Sequence, residues 1–447
     1  MKKINLYLFF FLAVIVVFDS CKKDDDDQFT ETETADYSSD VVLDWIELTL
    51  QLTEETAGYT PPVAARVYGY SGLALYESVR FGMPEYKSLE GQLTEFDAGT
   101  IPLAASDKDY HWGAVANATL SVFLKSCFQT TSTANLALMS DLETRYENQF
   151  RTEASDEIID RSIAFGEAVG NAVLAFANSD GQEECYNSNF PSSYTVPTGD
   201  GLWEPTSSSE PIPLQPYWGD VRPFMEENVD DLLPIPPPDY STDPSSAFYI
   251  EAIEVYEAVL NITPEQKVIA EFWSDDPGNT ATPPGHSYSI MMQILGEEEA
   301  NLARTAEVYA KLGMGIHDAF VSCWKAKYQY NLIRPITYIH EHIDDTWSIP
   351  LATPPFPEYT SGHSVQSGAT AEILTDLFGE NYSFVDRTHV NRTDIDGSPR
   401  SFNSFYEFAD EAAISRLYGG IHYRAAIDIG VEQGIKVGEN IAKLQFK

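Results

Sequence analysis

The chain of 447 residues is 43% hydrophobic and 13% aromatic, enough apolar side chain to close a large core, which excludes an intrinsically disordered protein. Its 69 Asp and Glu against 27 Lys and Arg set a formal charge of -42, so its field repels nucleic acid and anionic headgroups. Four cysteines with no CxxC pair exclude a disulfide-stapled module and a thiolate zinc site.

At the N-terminus, Lys2 and Lys3 precede an apolar run from Asn5 to Phe18, too short for a spanning helix but suited to a secretory leader. Ser20-Cys21 after that run resembles a bacterial lipobox, and the charged Lys22 to Asp27 resembles a surface-export signal of lipoproteins. Residues 1–20 are therefore read as a lipoprotein signal peptide and Cys21 as a lipid-anchored first residue, the protein's one link to a membrane. The expected location is the outer membrane or cell surface, with the periplasmic side as the alternative. Residues 21–39 are polar and acidic and read as a flexible tether, so folding is expected to begin near Asp40.

Apolar residues then recur at helical spacing through Val41 to Leu52, Val63 to Val79, His111 to Phe128, Ala134 to Phe150 and Ile158 to Phe176. These define an N-terminal helical layer over residues 40–180. Residues 181–243 are rich in Pro, Ser, Gly and aromatics without periodicity, which reads as a wrapping connection or a lid. Helical spacing resumes at Ala247 to Leu260 and Gln266 to Phe272, with Thr263-Pro264 as cap and first helical position. It continues at Ala300 to Tyr330, Val365 to Phe378, Phe405 to Tyr418 and Ile427 to Leu444, within a C-terminal bundle over residues 244–447. No strand or fixed repeat stands out. The expected fold is all-α, two helical bundles sharing one core.

The last third gathers the chemistry: Lys327, then Arg334-Pro335, then Ser361-Gly362-His363, then Ser415-Arg416 and, six residues after that arginine, His422. In so acidic a chain, three cations and two histidines in this order call for an anion. Lys327 offers a point charge, and Arg334 and Arg416 offer planar forks. Ser361 adds a hydroxyl, and Gly362 admits close backbone approach at a helix N-terminus. Arg416 and His422 cannot share one face of a regular helix, so Gly419-Gly420 is expected to break it.

These three segments resemble the KX6RP, PSGH and SRX5H signature of the vanadium haloperoxidase and type 2 phosphatidic acid phosphatase superfamily, with Thr360 in place of the proline, where a threonine can cap the helix. The resemblance implies a vanadium-haloperoxidase-like fold in which Lys327, Arg334, Ser361, Gly362 and Arg416 bind vanadate. It implies that His422 ligates vanadium and that His363 is the acid/base on the opposite side.

The same cradle serves phosphate, but the Asp that the phosphatases carry four residues after the second histidine is Ala426 here. The segments Phe272-Trp273-Ser274-Asp275 and Pro354 to Tyr359 resemble haloperoxidases instead. By that resemblance Asp275, with Asp276 as rival, orients the ligand histidine, and Phe356 walls the halide site. Trp324 shares a helical face with Lys327 and crowds the same pocket. The Trp, the length and the lipoprotein-like start most resemble bacterial vanadium-dependent iodoperoxidases. The implied substrates are hydrogen peroxide and halide, iodide first and bromide second. Lys327 polarises the oxygen that halide attacks, and vanadium acts as a Lewis acid. An acid phosphatase working through a phosphohistidine at His422 is the alternative, and a non-catalytic glycan-binding lipoprotein the third reading.

His340 and His342 read as surface, and the Asp394-Asp396-Gly397 stretch fails as a calcium loop because Arg392 and Asn403 occupy ligand places. His286 and Arg424 are candidates for the entrance. Cys127 and Cys185 are a potential disulfide pair, and Cys323 a buried thiol.

Overall fold

The computed structural model describes residues 32–207 and 212–447, and residues 1–20, read as a signal peptide, and Cys21 lie outside them. Residues 32–447 form one compact unit. The fold is all-α. In the first half α1 (Asp40–Glu55), α2 (Pro61–Val79), α3 (Trp112–Cys127), α4 (Thr133–Phe150) and α5 (Asp156–Asn178) form one layer. After a short α6 (Glu227–Asp230) come α7 (Ala247–Leu260), α8 (Pro264–Phe272), α9 (Thr282–Glu297) and α10 (Leu302–Tyr330). The chain ends with α11 (Pro335–His342), α12 (Gly362–Phe378), α13 (Phe405–Tyr418) and α14 (Arg424–Ala442).

The layers share one apolar core running from Val41 to Phe446, with a smaller cluster around Phe248, Tyr338 and Tyr423. Its spine is α10, buried along nearly its whole length and packed against α2 on one side and α12 on the other. Glycine permits the closest crossings. A Cβ on Gly313 of α10 would lie 3.0 Å from the Gly69 Cα of α2, and one on Gly434 of α14 would lie 2.0 Å from the Val365 carbonyl of α12. Any larger residue there would push the helices apart.

Packing begins before Asp40, which corrects the end of the expected tether; its residues 21–31 lie outside the described ones. Residues Thr34–Asp36 make a 3₁₀ turn in which buried Thr34 donates to the Val79 carbonyl, and Trp112 Nε1 donates to the Thr32 carbonyl. A polar segment can dock in this way when the core surface offers it unpaired carbonyls and donors. Three helices lie outside the predicted spans: the four-residue α6, α9 and α11. At α9, Pro283-Pro284-Gly285 looks like a breaker, yet the prolines occupy the first turn, where no intrahelical N–H is needed. Helix α11 spans eight residues, too few for a period to register. The described chain also holds one antiparallel pair, β1 (Phe384–Asp386) and β2 (Arg400–Phe402), with Phe384 opposite Phe402.

The described residues of 181–243 run over the C-terminal helices and pin them. Leu214 N bonds the Pro355 carbonyl, while the Leu214 carbonyl accepts from Trp324 Nε1 and Tyr328 Oη. Buried Asp318 of α10 receives the Phe224 and Met225 N–H groups and Asn228 Nδ2. Among the described residues no helix is long and apolar enough to cross a membrane. Cys127, Cys185 and Cys323 are free thiols.

Candidate active site

Four helix ends converge on one cavity of about 390 Å³, whose wall includes Trp324, Phe356, Gly362, His363, Arg416 and His422. Lys327 lies in the last turn of α10, which Asn331 closes at φ 46°. Arg334 is the N-cap residue of α11, with Pro335 at the first helical position. Ser361 caps α12 by accepting the Ser364 N–H, so Gly362 and His363 open the helix. Thr360 does not cap: its hydroxyl donates to Gln433 Oε1 at 2.7 Å. Arg416 ends α13, and Gly420 at φ 73° turns the chain so that His422 also faces inward.

Lys327, Arg334, Arg416 and His422 are buried, and His363 is half-buried. Arg334 Nη1 lies 3.3 Å from His422 Nε2, and Lys327 Nζ stands 4.9 Å from the Phe356 ring centroid. Lys327 and Arg334 are satisfied mainly by backbone: Lys327 donates to the Pro357 and Glu358 carbonyls at 3.1 and 3.0 Å, and Arg334 to those of Phe356 and Ile421 at 2.9 and 2.8 Å. Among the described residues, no carboxylate hydrogen-bonds to any of the three cations. Burial therefore pushes Lys327 down to about 7 and both arginines down to about 10.

The partner of His422 corrects the sequence reading. Its Nδ1 bonds Glu358 Oε1 at 2.8 Å, and the same oxygen accepts the Tyr423 N–H. Glu358, not Asp275, fixes this ring. Burial raises the Glu358 carboxyl to about 8, while it holds His422, crowded also by Arg334 and Lys327, well below the usual histidine range. Glu358 is a lone acid in an otherwise apolar, proline-rich run three residues before Ser361, and that isolation was its one visible signal.

Asp275 is engaged elsewhere. Its carboxylate meets His286 Nδ1 at 3.0 Å, and His286 Nε2 meets Asp386 at 2.7 Å, so the ring between two carboxylates titrates at about 10 despite burial. His286 thus lines a neighbouring cavity, not the entrance. Arg424 pairs with Glu254, and His340 and His342 are exposed and bonded to the Trp347 carbonyl and Tyr240. Asp275 and Asp276 remain in the wall of the main cavity.

Three observations fit this pocket to an oxyanion. Arg334 Nη2 and His363 Nε2 are buried donors or acceptors without a hydrogen-bond partner. A Cβ on Gly362 would meet one atom within 4 Å, Trp324 Cζ3 at 3.7 Å, so it would project into open cavity. Among the described residues no carboxylate bonds directly to the cations, and a bound oxyanion supplies that partner.

Comparison with known proteins agrees. The VCPO second helical-bundle domain matches residues 307–446. The vanadium chloroperoxidase of Curvularia inaequalis is 24% identical over 88% of this chain and 80% of its own. A bacterial vanadium-dependent iodoperoxidase of known structure is 36% identical, covering 91% of this chain and 96% of that one, with TM-score 0.79. A holo bacterial vanadium-dependent chloroperoxidase, 14% identical over 87% of this chain and 92% of its own, shares the fold at TM-score 0.65. The chain belongs to the vanadium-dependent haloperoxidase family, peroxidases whose cofactor is vanadate.

Proposed function

We propose that this protein oxidises iodide with hydrogen peroxide and works as an exported lipoprotein anchored through Cys21. The observation that carries the iodide reading is the aromatic wall beside Lys327: the Trp324 and Phe356 rings pack 5.1 Å apart on the cavity and stand 5.9 and 4.9 Å from the ammonium. A large, weakly hydrated, polarisable anion gains most from such a surface, because it gives up least water on entering. The 36% identity to an iodoperoxidase supports the same reading.

In this reading His422 Nε2 is the vanadium ligand, held in orientation by Glu358 through Nδ1. Lys327, Arg334 and Arg416 carry the counter-charge, and Gly362 leaves room for the oxyanion at the N-terminus of α12. When bound, vanadate supplies a Lewis acid that needs no redox change. Burial keeps His363 neutral, and its Nε2, on the cavity wall, has no partner, so it accepts the proton that peroxide loses. Trp324 and Phe356 exclude water from the halide.

The test is an assay of metal-stripped protein with and without orthovanadate, following peroxide-dependent oxidation of iodide and bromide and, in parallel, hydrolysis of an aryl phosphate. Expected is oxidation only with vanadate, with kcat/KM for iodide above that for bromide. A bromide preference removes the iodide reading, and vanadate-inhibited phosphate release without oxidation removes the peroxidase activity. Acylation lost in Cys21→Ser checks the anchor.

A further inference from the structure

Asp275, His286 and His389 converge next to the vanadate pocket in a way that neither anion binding nor halide oxidation explains. His286 Nδ1 lies 3.0 Å from Asp275 Oδ2, and His389 Nε2 lies 3.2 Å from Asp275 Oδ1. One ligand atom from each of the three buried residues falls within 4.8 Å of the others. His389 Nε2 lacks the alignment of a hydrogen bond to Asp275 and has no other partner. The two separations from Asp275 match the edge of a tetrahedron, about 3.3 Å when the metal–ligand bonds are 2.0–2.1 Å.

The surroundings are built as a metal site needs them. The far nitrogen of His286 is held by Asp386 at 2.7 Å, and Asp386 is itself fixed by the Thr388 N–H at 2.8 Å. A carboxylate behind a histidine orients the ring and makes its free nitrogen a better donor. Trp273 stacks on the His286 ring at 4.5 Å and Phe272 meets the His389 ring edge-on at 4.9 Å, which keeps the donors dry and fixed. On the open side a second cavity of about 320 Å³, with Glu54 in its wall, leaves a place for a water or a fourth ligand.

We propose that Asp275, His286 and His389 bind a zinc-type divalent cation at a site separate from vanadate. Two imidazoles and one carboxylate select a borderline ion such as zinc over calcium or magnesium, which prefer all-oxygen cages. Asp275 and Asp386 supply two negative charges against the ion's two positive ones. The cation takes the place of the proton that His286 Nδ1 otherwise shares with Asp275, and that proton leaves to solvent. The ion ties together α9, the residues after β1 and the segment around Asp275. That segment lines the vanadate cavity, and the His363 ring reaches its Trp273 backbone. The role inferred is positioning: the ion fastens the wall against which the acid/base histidine rests.

The test uses the full chain without a polyhistidine tag, purified from zinc-supplemented medium and dialysed against metal-free buffer. Elemental analysis is expected to find about one zinc per chain alongside vanadium. Zinc-edge anomalous diffraction is expected to place it between Asp275 and the two histidines. In His389→Ala the zinc is lost, in Asp386→Asn its affinity drops roughly 10–100-fold, and in His422→Ala vanadium is lost while zinc stays. The diffraction result on the unaltered chain decides even where a variant fails to fold. Less than about 0.1 zinc per chain, or an anomalous peak elsewhere, overturns the proposal and leaves the cluster a hydrogen-bonded imidazolium clamp.

Discussion

Arg66 and Arg334 are both buried arginines, one in each helical layer, and they are held in opposite ways. Arg66 of α2 grips Asp180 with two bonds, Nε to Oδ2 at 2.7 Å and Nη2 to Oδ1 at 2.9 Å, and adds the Ala177 carbonyl. Although burial works against its charge, Asp180 raises its pKa above the ordinary value. Arg334 has backbone carbonyls and a histidine for neighbours, one nitrogen without a partner, and a pKa pushed down to about 10. A buried cation with its own carboxylate serves the fold. Three buried cations without one are stabilised by something the chain does not encode, which in this family is vanadate.

The largest effect expected from this contrast is in the C-terminal cluster. Replacing His422 with alanine removes the proposed ligand atom while leaving the cations, and vanadate binding should fall below detection by elemental analysis while the far-ultraviolet circular dichroism stays helical. Asp180→Ala does the reverse. It leaves Arg66 buried and unpaired, which should cost about 3–5 kcal/mol in denaturant unfolding and leave the vanadate affinity of the folded fraction unchanged. Arg416→Met sharpens the comparison. Since Arg416 has no carboxylate partner, an apolar replacement of similar length should leave stability without vanadate within about 1 kcal/mol of the parent, or above it. The rise in Tm on adding vanadate should shrink. A large loss of stability in the vanadate-free variant would show that Arg416, like Arg66, belongs to the fold.

Glu358→Gln keeps the size of the group behind His422 but removes a carboxyl that can accept from Nδ1 and ionise, so vanadate affinity should weaken roughly 10–100-fold while the cavity survives. The smallest effect is on pH. The oxyanion favours charged Lys327, and with the amine at about 7 without it, binding above neutrality must take up a proton. Ionisation of Glu358 near 8 adds negative charge in the same range and the same direction. Affinity should therefore fall as pH rises above about 7, by at most about tenfold per unit for each proton. Calorimetry in two buffers of different ionisation enthalpy would read the uptake directly, and binding that is flat from pH 7 to 9 would remove Lys327 and Glu358 from the linkage.

Most helices were legible because amphipathic spacing and caps are local. Thr263-Pro264 opens α8 with its capping box in place, and α13 runs from Phe405 to Tyr418 as read. The cations and histidines were legible because they lie in three short segments whose order survives any folding. The partner of His422 was not: the reading named Asp275, with Asp276 as rival, and passed over Glu358, because distance along the chain says nothing about which ring an acid reaches. Asp275 lies 147 residues from His422 and Glu358 lies 64, yet only packing of the 354–360 run under α14 decides in favour of Glu358. His389 and Asp386 carry no motif at all. They meet His286 and Asp275 because the β1–β2 pair folds back over α9, a contact across about a hundred residues that no local pattern encodes.

The sequence by itself determined the helical class, the acidic surface and the set of cations and histidines offered to an oxyanion, since each depends on composition or on residues close in the chain. Tertiary structure decided which carboxylate orients which histidine, which cations go without a bonded carboxylate, and that Thr34 and Ser39 are buried. Those depend on where burial removes water, and burial is a property of the assembled core rather than of any segment.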